Sequence, residues 1–77
     1  MKTIEIHDGH RYEDYYVRRL IQKQLLEDKI EVKFVLYNDD RGPPYIYEMS
    51  DIKDNLAPKI VESINKLHYF CAKVIDL

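Results

Sequence analysis

The chain has one cysteine, two glycines, three prolines and no tryptophan in 77 residues. A lone Cys71 allows no intramolecular disulfide, which fits a reducing compartment. With only Gly9 and Gly42 there is no Gly-rich loop to cradle a phosphate. Neither a Gly-x-Ser-x-Gly nucleophile elbow nor a Cys-x-x-Cys pair occurs. Apolar runs extend for only a few residues, too short to span a bilayer. Met1 to Glu5 alternates polar and apolar and lacks a signal peptide's apolar centre, so the expected location is cytoplasmic. An excess of one charge is also missing: 14 acids against 12 bases leave a formal charge of −2. A stand-alone nucleic-acid binder draws its affinity from surplus Lys and Arg, and here there is none.

What remains is a sequence that is 45% hydrophobic, 34% charged and rich in tyrosine, with apolar residues spread along its length. That excludes disorder and predicts one small domain over residues 1–77. A chain this short buries only about 60% of the surface its unfolded form exposes, so an oligomer or a partner would help its stability.

Residues 2–7 alternate with period two and predict a strand with Ile4 and Ile6 buried, followed by a turn at Asp8-Gly9-His10. Residues 12–27 fit a helix, with Tyr16, Val17, Leu20, Ile21, Gln24 and Leu25 on one side. Ile30, Val32, Phe34 and Leu36 alternate with Glu31, Lys33, Val35 and Tyr37 in a second strand over 30–37. Asn38 to Pro44 is dense in turn formers, and Tyr45 to Met49 returns as the third strand of a hairpin. Ser50 or Asp51 can cap a helix starting near Ile52, and Pro58 marks where the main helix starts or kinks.

The last third offers two readings. Ile60, Ile64, Leu67, Cys71 and Val74 recur at steps of four and three, which predicts a helix running almost to Leu77. The fold is then α+β: a three-stranded antiparallel sheet with two helices on one face, in the order β-α-β-β-α. Alternatively the helix stops near Leu67, and Tyr69 to Asp76 forms a fourth strand with Phe70, Ala72 and Val74 inward. That gives a ferredoxin-like βαββαβ domain. The unbroken stripe through Asn65-Lys66-Leu67-His68 favours the long helix.

No constellation for catalysis stands out, so the chain is expected not to be an enzyme and to need no cofactor. His7, His10, His68 and Cys71 are competent metal ligands. Cys71 on the apolar stripe reads as a small hydrophobe, however, and the first two histidines flank a polar turn, so no metal site is predicted. Tyr37, Tyr45, Tyr47 and Tyr69 raise the alternative of a ferredoxin-like nucleic-acid- or ligand-binding module: two aromatics spaced i, i+2 on a strand resemble an RNA-stacking platform, but its basic and glycine residues are missing. The tyrosines fit a core or a protein interface better. The candidate interface comprises Tyr45, Tyr47, Ile60, Ile64, Leu67, Cys71 and Val74.

The order strand–helix–strand–strand–long helix, with the tail Asp54-Asn55-Leu56-Ala57-Pro58-Lys59-Ile60-Val61-Glu62-Ser63-Ile64, resembles the small dimerising subunit of the KEOPS complex. Leu56 and Ser63 match that family's Leu-Arg and Asn-Ser motif. Ala57 and Glu62 stand where it has Arg and Asn, and Pro58 is a further departure. The resemblance implies a non-catalytic accessory subunit for threonylcarbamoyladenosine tRNA modification, homo- or heterodimeric. Such a subunit docks through its helices on an ATP-dependent catalytic partner and meets tRNA only indirectly.

Overall fold

The computed structural model describes residues 1–9, 12–39 and 45–75, without the side chains of Asp39 and Tyr45. Strand β1 spans Lys2–Asp8, helix α1 Asp14–Glu27 and strand β2 Leu36–Asp39. Strand β3 spans Tyr45–Ile52, helix α2 Ala57–Asn65 and strand β4 Phe70–Ile75. The four strands form one antiparallel sheet in the order β2-β3-β1-β4. Order and pairing together are the βαββαβ arrangement. The small α+β class therefore holds, and the three-stranded sheet is corrected to four strands.

The predicted long last helix is the main error. Helix α2 ends at Asn65, and Leu67 and His68 close its last turn by donating to Ile64 and Asn65 carbonyls three residues back. His68 then takes φ 60°, the left-handed conformation that stops a helix. Beyond it Phe70 and Ala72 are buried while Cys71 and Lys73 are exposed, a period of two that supplies β1 with its second neighbour. The four-and-three stripe through Leu67, Cys71 and Val74 coincided with this alternation. Asn65 fastens the result: its Nδ2 donates to the Ala72 carbonyl at 3.1 Å, and its Oδ1 accepts from the Ala72 N–H at 2.7 Å.

Ile4 and Ile6 on β1 lie opposite Met49 and Tyr47 on β3. With Leu36, Ile52, Phe70 and Ala72 they form one apolar face. Over it pack Val17, Ile21 and Leu25 from α1 and Ala57, Ile60 and Ile64 from α2. Asp8, wholly buried, accepts from the Tyr12 N–H at 2.7 Å and ties the first turn to β1. Tyr12 meets Tyr16 and Tyr69 edge-on, which closes that end of the core.

Several boundaries differ from expectation. Helix α1 starts at Asp14 rather than residue 12. Helix α2 starts at Ala57, with Pro58 in its first turn, and Ser50 and Asp51 belong to β3 rather than to a cap. The second strand begins at Leu36 rather than Ile30. The cause of this last shift lies in β3. Its register against β1 gains one residue between Met49 and Ile52, and Asp51 there has φ 60°. This is a β-bulge, which bends the strand and disrupts its ladder. The β2–β3 ladder therefore starts at Leu36↔Met49, and residues 31–35 run on without joining it. Of the turn expected over 38–44, Asn38 and Asp39 belong to β2 instead, and residues 40–44, like His10 of the first turn, lie outside the described residues.

Candidate interaction surface

Three surfaces compete: the sheet face without helices, the last strand's edge, and the edge beside β2.

Alternate residues of each strand point to the open face. One row across the sheet reads Tyr37, Glu48, Glu5, Lys73, and the next contains Ile46, His7 and Cys71. His7 Nε2 lies 2.6 Å from Glu5 Oε1, and Lys73 Nζ lies 3.7 Å from the same oxygen. The His7 hydrogen bond, with the charges of His7 and Lys73, holds the Glu5 carboxyl below its ordinary value of 4.5 against the opposing effect of burial. His7 and Cys71 are direct cross-strand partners, but His68 sits in the left-handed turn after α2. Among the described residues no three His, Cys, Asp or Glu side chains are placed to hold a metal ion. An aromatic platform is not assembled either. Tyr37 is 66% exposed on this face, whereas Tyr47 is 1% exposed on the opposite one. Glu48, directly opposite Tyr37, would repel a nucleic-acid backbone.

The seven interface residues predicted from sequence do not form one surface. Tyr47, Ile60 and Ile64 are core residues, and Leu67 packs against the core. Their stripe is filled by the chain's own sheet. Cys71 and Val74 are exposed but point to opposite faces of β4, as the alternation of a strand requires. The side chain of Tyr45 lies outside the described residues.

The two sheet edges are unequal. At the β4 edge the Asn65 amide occupies both outward backbone groups of Ala72, as a neighbouring strand would. At the other edge nothing equivalent exists among the described residues. Helix α1 ends in a Schellman motif. Lys29 N–H donates to the Leu26 carbonyl, Ile30 N–H donates to the Leu25 carbonyl at 2.9 Å, and Lys29 carries φ 58°. This reversal launches residues 30–35 along the outside of the sheet. Ile30, Val32 and Phe34 pack partly against the core, while Glu31, Lys33 and Val35 face solvent.

Between this segment and α1 lies a groove of about 410 Å³ whose walls include Leu25, Leu26, Ile30, Val32 and Phe34. A second hollow of about 490 Å³ continues it past Arg18 and Gln22 to Val35 and Leu36. Leu26 and Val35, 67% and 78% exposed, stand at its rims. A third hollow, of about 260 Å³, separates Lys33–Val35 from Ser50 and Asp51 at the bulge. Sequence reading found the alternation of 30–37 but paired the whole stretch in a hairpin, whereas only Leu36–Asp39 joins the ladder. The signal for an edge was the charge pair Glu31 and Lys33, two apart and so on one face.

The far end of α1 is tied down separately. Lys66 Nζ and Gln24 Nε2 reach Asp28 Oδ2 at 3.1 and 3.2 Å. Ser63, with Lys66 and Gln24, holds the Asp28 carboxyl below its ordinary 3.8. These contacts join the two helices and leave the groove clear.

Among the described residues no helix is long and apolar enough to cross a membrane. No protein-family model matches this chain, nor does any curated protein or solved structure.

Proposed function

We propose that this domain is a non-catalytic assembly module that binds another protein chain through the edge formed by residues 30–36 and the adjoining face of α1. One observation carries the reading: a segment outside any ladder whose burial alternates residue by residue, beside an apolar groove rimmed by exposed Leu26 and Val35. Exposed apolar surface next to free strand backbone is how sheets accept a further strand. The near-balance of charge agrees with a protein partner.

The narrower assignment, a KEOPS-like accessory subunit for threonylcarbamoyladenosine tRNA modification, rests on Leu56 and Ser63 alone. Its element order needs a long last helix where β4 stands. Ser63 is buried with its Oγ 3.4 Å from the Gln24 carbonyl and beside Asp28, so the chain's own fold accounts for it. The broader role is the one proposed.

The test is lysine cross-linking in the source cells, read by mass spectrometry. Cross-links to another chain are expected at Lys29 and Lys33 and not at Lys73 on the open face. Intermolecular cross-links centred on Lys73, or none at all, would overturn the choice of edge.

A further inference from the structure

Resting on that reading, we infer that the occupant of this edge is a second copy of the same chain. Residues 30–34 of the two copies pair antiparallel about a two-fold axis at Val32.

The argument begins with which backbone is free. An exposed sheet edge is a template for another strand, and proteins block the edges they do not use. Asn65 blocks the β4 edge at Ala72. The opposite edge has no such cover among the described residues, and residues 31–35 join no ladder even on their inner side, where the bulge at Asp51 has turned β3 away. Lys29, in the left-handed conformation, sets where a pairing segment can begin.

Charge then selects the partner and the register. Centring the pair on Val32 places Glu31 opposite Lys33 of the second copy, and by symmetry Lys33 opposite Glu31. Ile30 faces Phe34 twice, and Val32 faces itself. Directly opposed residues share a face of the sheet. Both ion pairs therefore lie on the solvent side, and all the apolar pairs lie on the helix side beneath the two α1 grooves. Centring on Glu31 would oppose Glu31 to Glu31 and Lys29 to Lys33. Centring on Lys33 would oppose Lys33 to Lys33. Like charges directly opposite destabilise a pair. A slip of one residue would set outward residues against inward ones and send the two helix layers to opposite faces.

Of these registers only the one centred on Val32 satisfies both charge and burial. It is self-complementary, as an isologous two-fold interface must be. Leu26 and Val35, exposed at the groove rims in the single chain, are then placed beside the seam. The result joins the two four-stranded sheets edge to edge through the paired 30–34 segments, with all four helices on one side.

The test exploits the symmetry. In Glu31→Lys both opposed positions become lysine, and in Lys33→Glu both become glutamate, so each variant alone repels itself. Mixed together they are complementary again, lysines of one chain facing glutamates of the other. By sedimentation at low ionic strength, the wild type is expected to dimerise reversibly. Each single variant should weaken dimerisation at least tenfold, about 1.4 kcal/mol. An equimolar mixture of the two should regain wild-type association as a heterodimer. The doubly exchanged chain, Glu31→Lys with Lys33→Glu, should also dimerise. Recovery on mixing shows that the single variants are folded.

A wild type that dimerises equally well in both single variants overturns this pairing. So does one that stays monomeric at millimolar concentration while Lys29 and Lys33 cross-link to a different protein; in that case the assembly reading stands. A monomer that cross-links to nothing removes both.

Discussion

The contact that decides the last third of the fold is also the most directly testable, and Asn65→Ala isolates it. The substitution removes two hydrogen bonds to Ala72, at 3.1 and 2.7 Å. Each is worth about 0.5–1.5 kcal/mol net. The edge is accessible to water, which takes over part of what is lost, so the lower half of that range applies and the pair contributes about 1–2 kcal/mol. Alanine is also a better helix former than asparagine, by up to about 0.7 kcal/mol in a helix interior, but less at a terminal position such as this one. The net expectation is a loss of about 1 kcal/mol. In a domain of this size that lowers the melting temperature by about 4–8 °C. Thermal and urea unfolding measure it, and amide exchange localises it: the Ala72 N–H should lose protection while Ile6 keeps its own. Asn65→Gln, with its amide carried one methylene too far, should behave like Asn65→Ala. If Asn65→Ala melts at or above the wild type with Ala72 exchange unchanged, the amide does not hold the strand.

Other perturbations follow from single residues. Lys29 carries φ 58° at the end of α1, so Lys29→Gly relieves a strain of about 1 kcal/mol. It should raise the urea midpoint, in part offset by the freer unfolded chain. Tyr47→Ala empties a site that is 1% exposed at the centre of the sheet. A cost of about 3–5 kcal/mol is expected, much of the stability of a domain this small. Circular dichroism at 37 °C should show substantial unfolding. Glu5 and Asp28 are both held below their ordinary values of 4.5 and 3.8. A carboxyl lowered in the folded state stabilises fully above its unfolded value, and that stabilisation is lost as pH falls through the folded one. Melting temperature should accordingly be flat from neutrality to about pH 5 and fall below that. In Lys66→Ala, which deprives Asp28 of a partner at 3.1 Å, the acid fall should be shallower.

The legible parts of this fold were those where one period dominated. Ile4 and Ile6 marked β1, and Val17, Ile21 and Leu25 marked α1, because each stretch buries one face and exposes the other. The last third was misread because two periods overlap on the same residues. Leu67, Cys71 and Val74 satisfy a helical spacing, while Phe70, Ala72 and Val74 satisfy a strand. The choice depended on His68 adopting a conformation uncommon for a residue with a side chain, and on Asn65 reaching seven residues along to Ala72. Neither is a local propensity. The same holds for the second strand: its alternation was visible, but its loss of partners depends on an extra residue in β3, invisible in Ile30–Leu36 itself. The candidate interface failed for a related reason. An apolar stripe announces burial and does not say against what, and here Ile60 and Ile64 are buried against the chain's own sheet.

Bulge, helix terminus and amide clamp have a common consequence. A four-stranded sheet with two bare edges would associate through either of them and grow into an open chain of domains, since each edge is a template. Asn65 removes one edge from that choice. The bulge at Asp51 and the reversal at Lys29 extend the other edge beyond the sheet, where the register centred on Val32 sets Glu31 opposite Lys33. On the pairing inferred above, one blocked edge and one self-complementary edge limit association to a closed pair. Asn65→Ala should therefore do more than destabilise. In concentrated solution it should yield species larger than the dimer, and these should vanish when Lys33→Glu is added. A doubly substituted chain that still forms large species would mean that growth does not run through the 30–36 edge, and the asymmetry of the edges would not be what limits assembly.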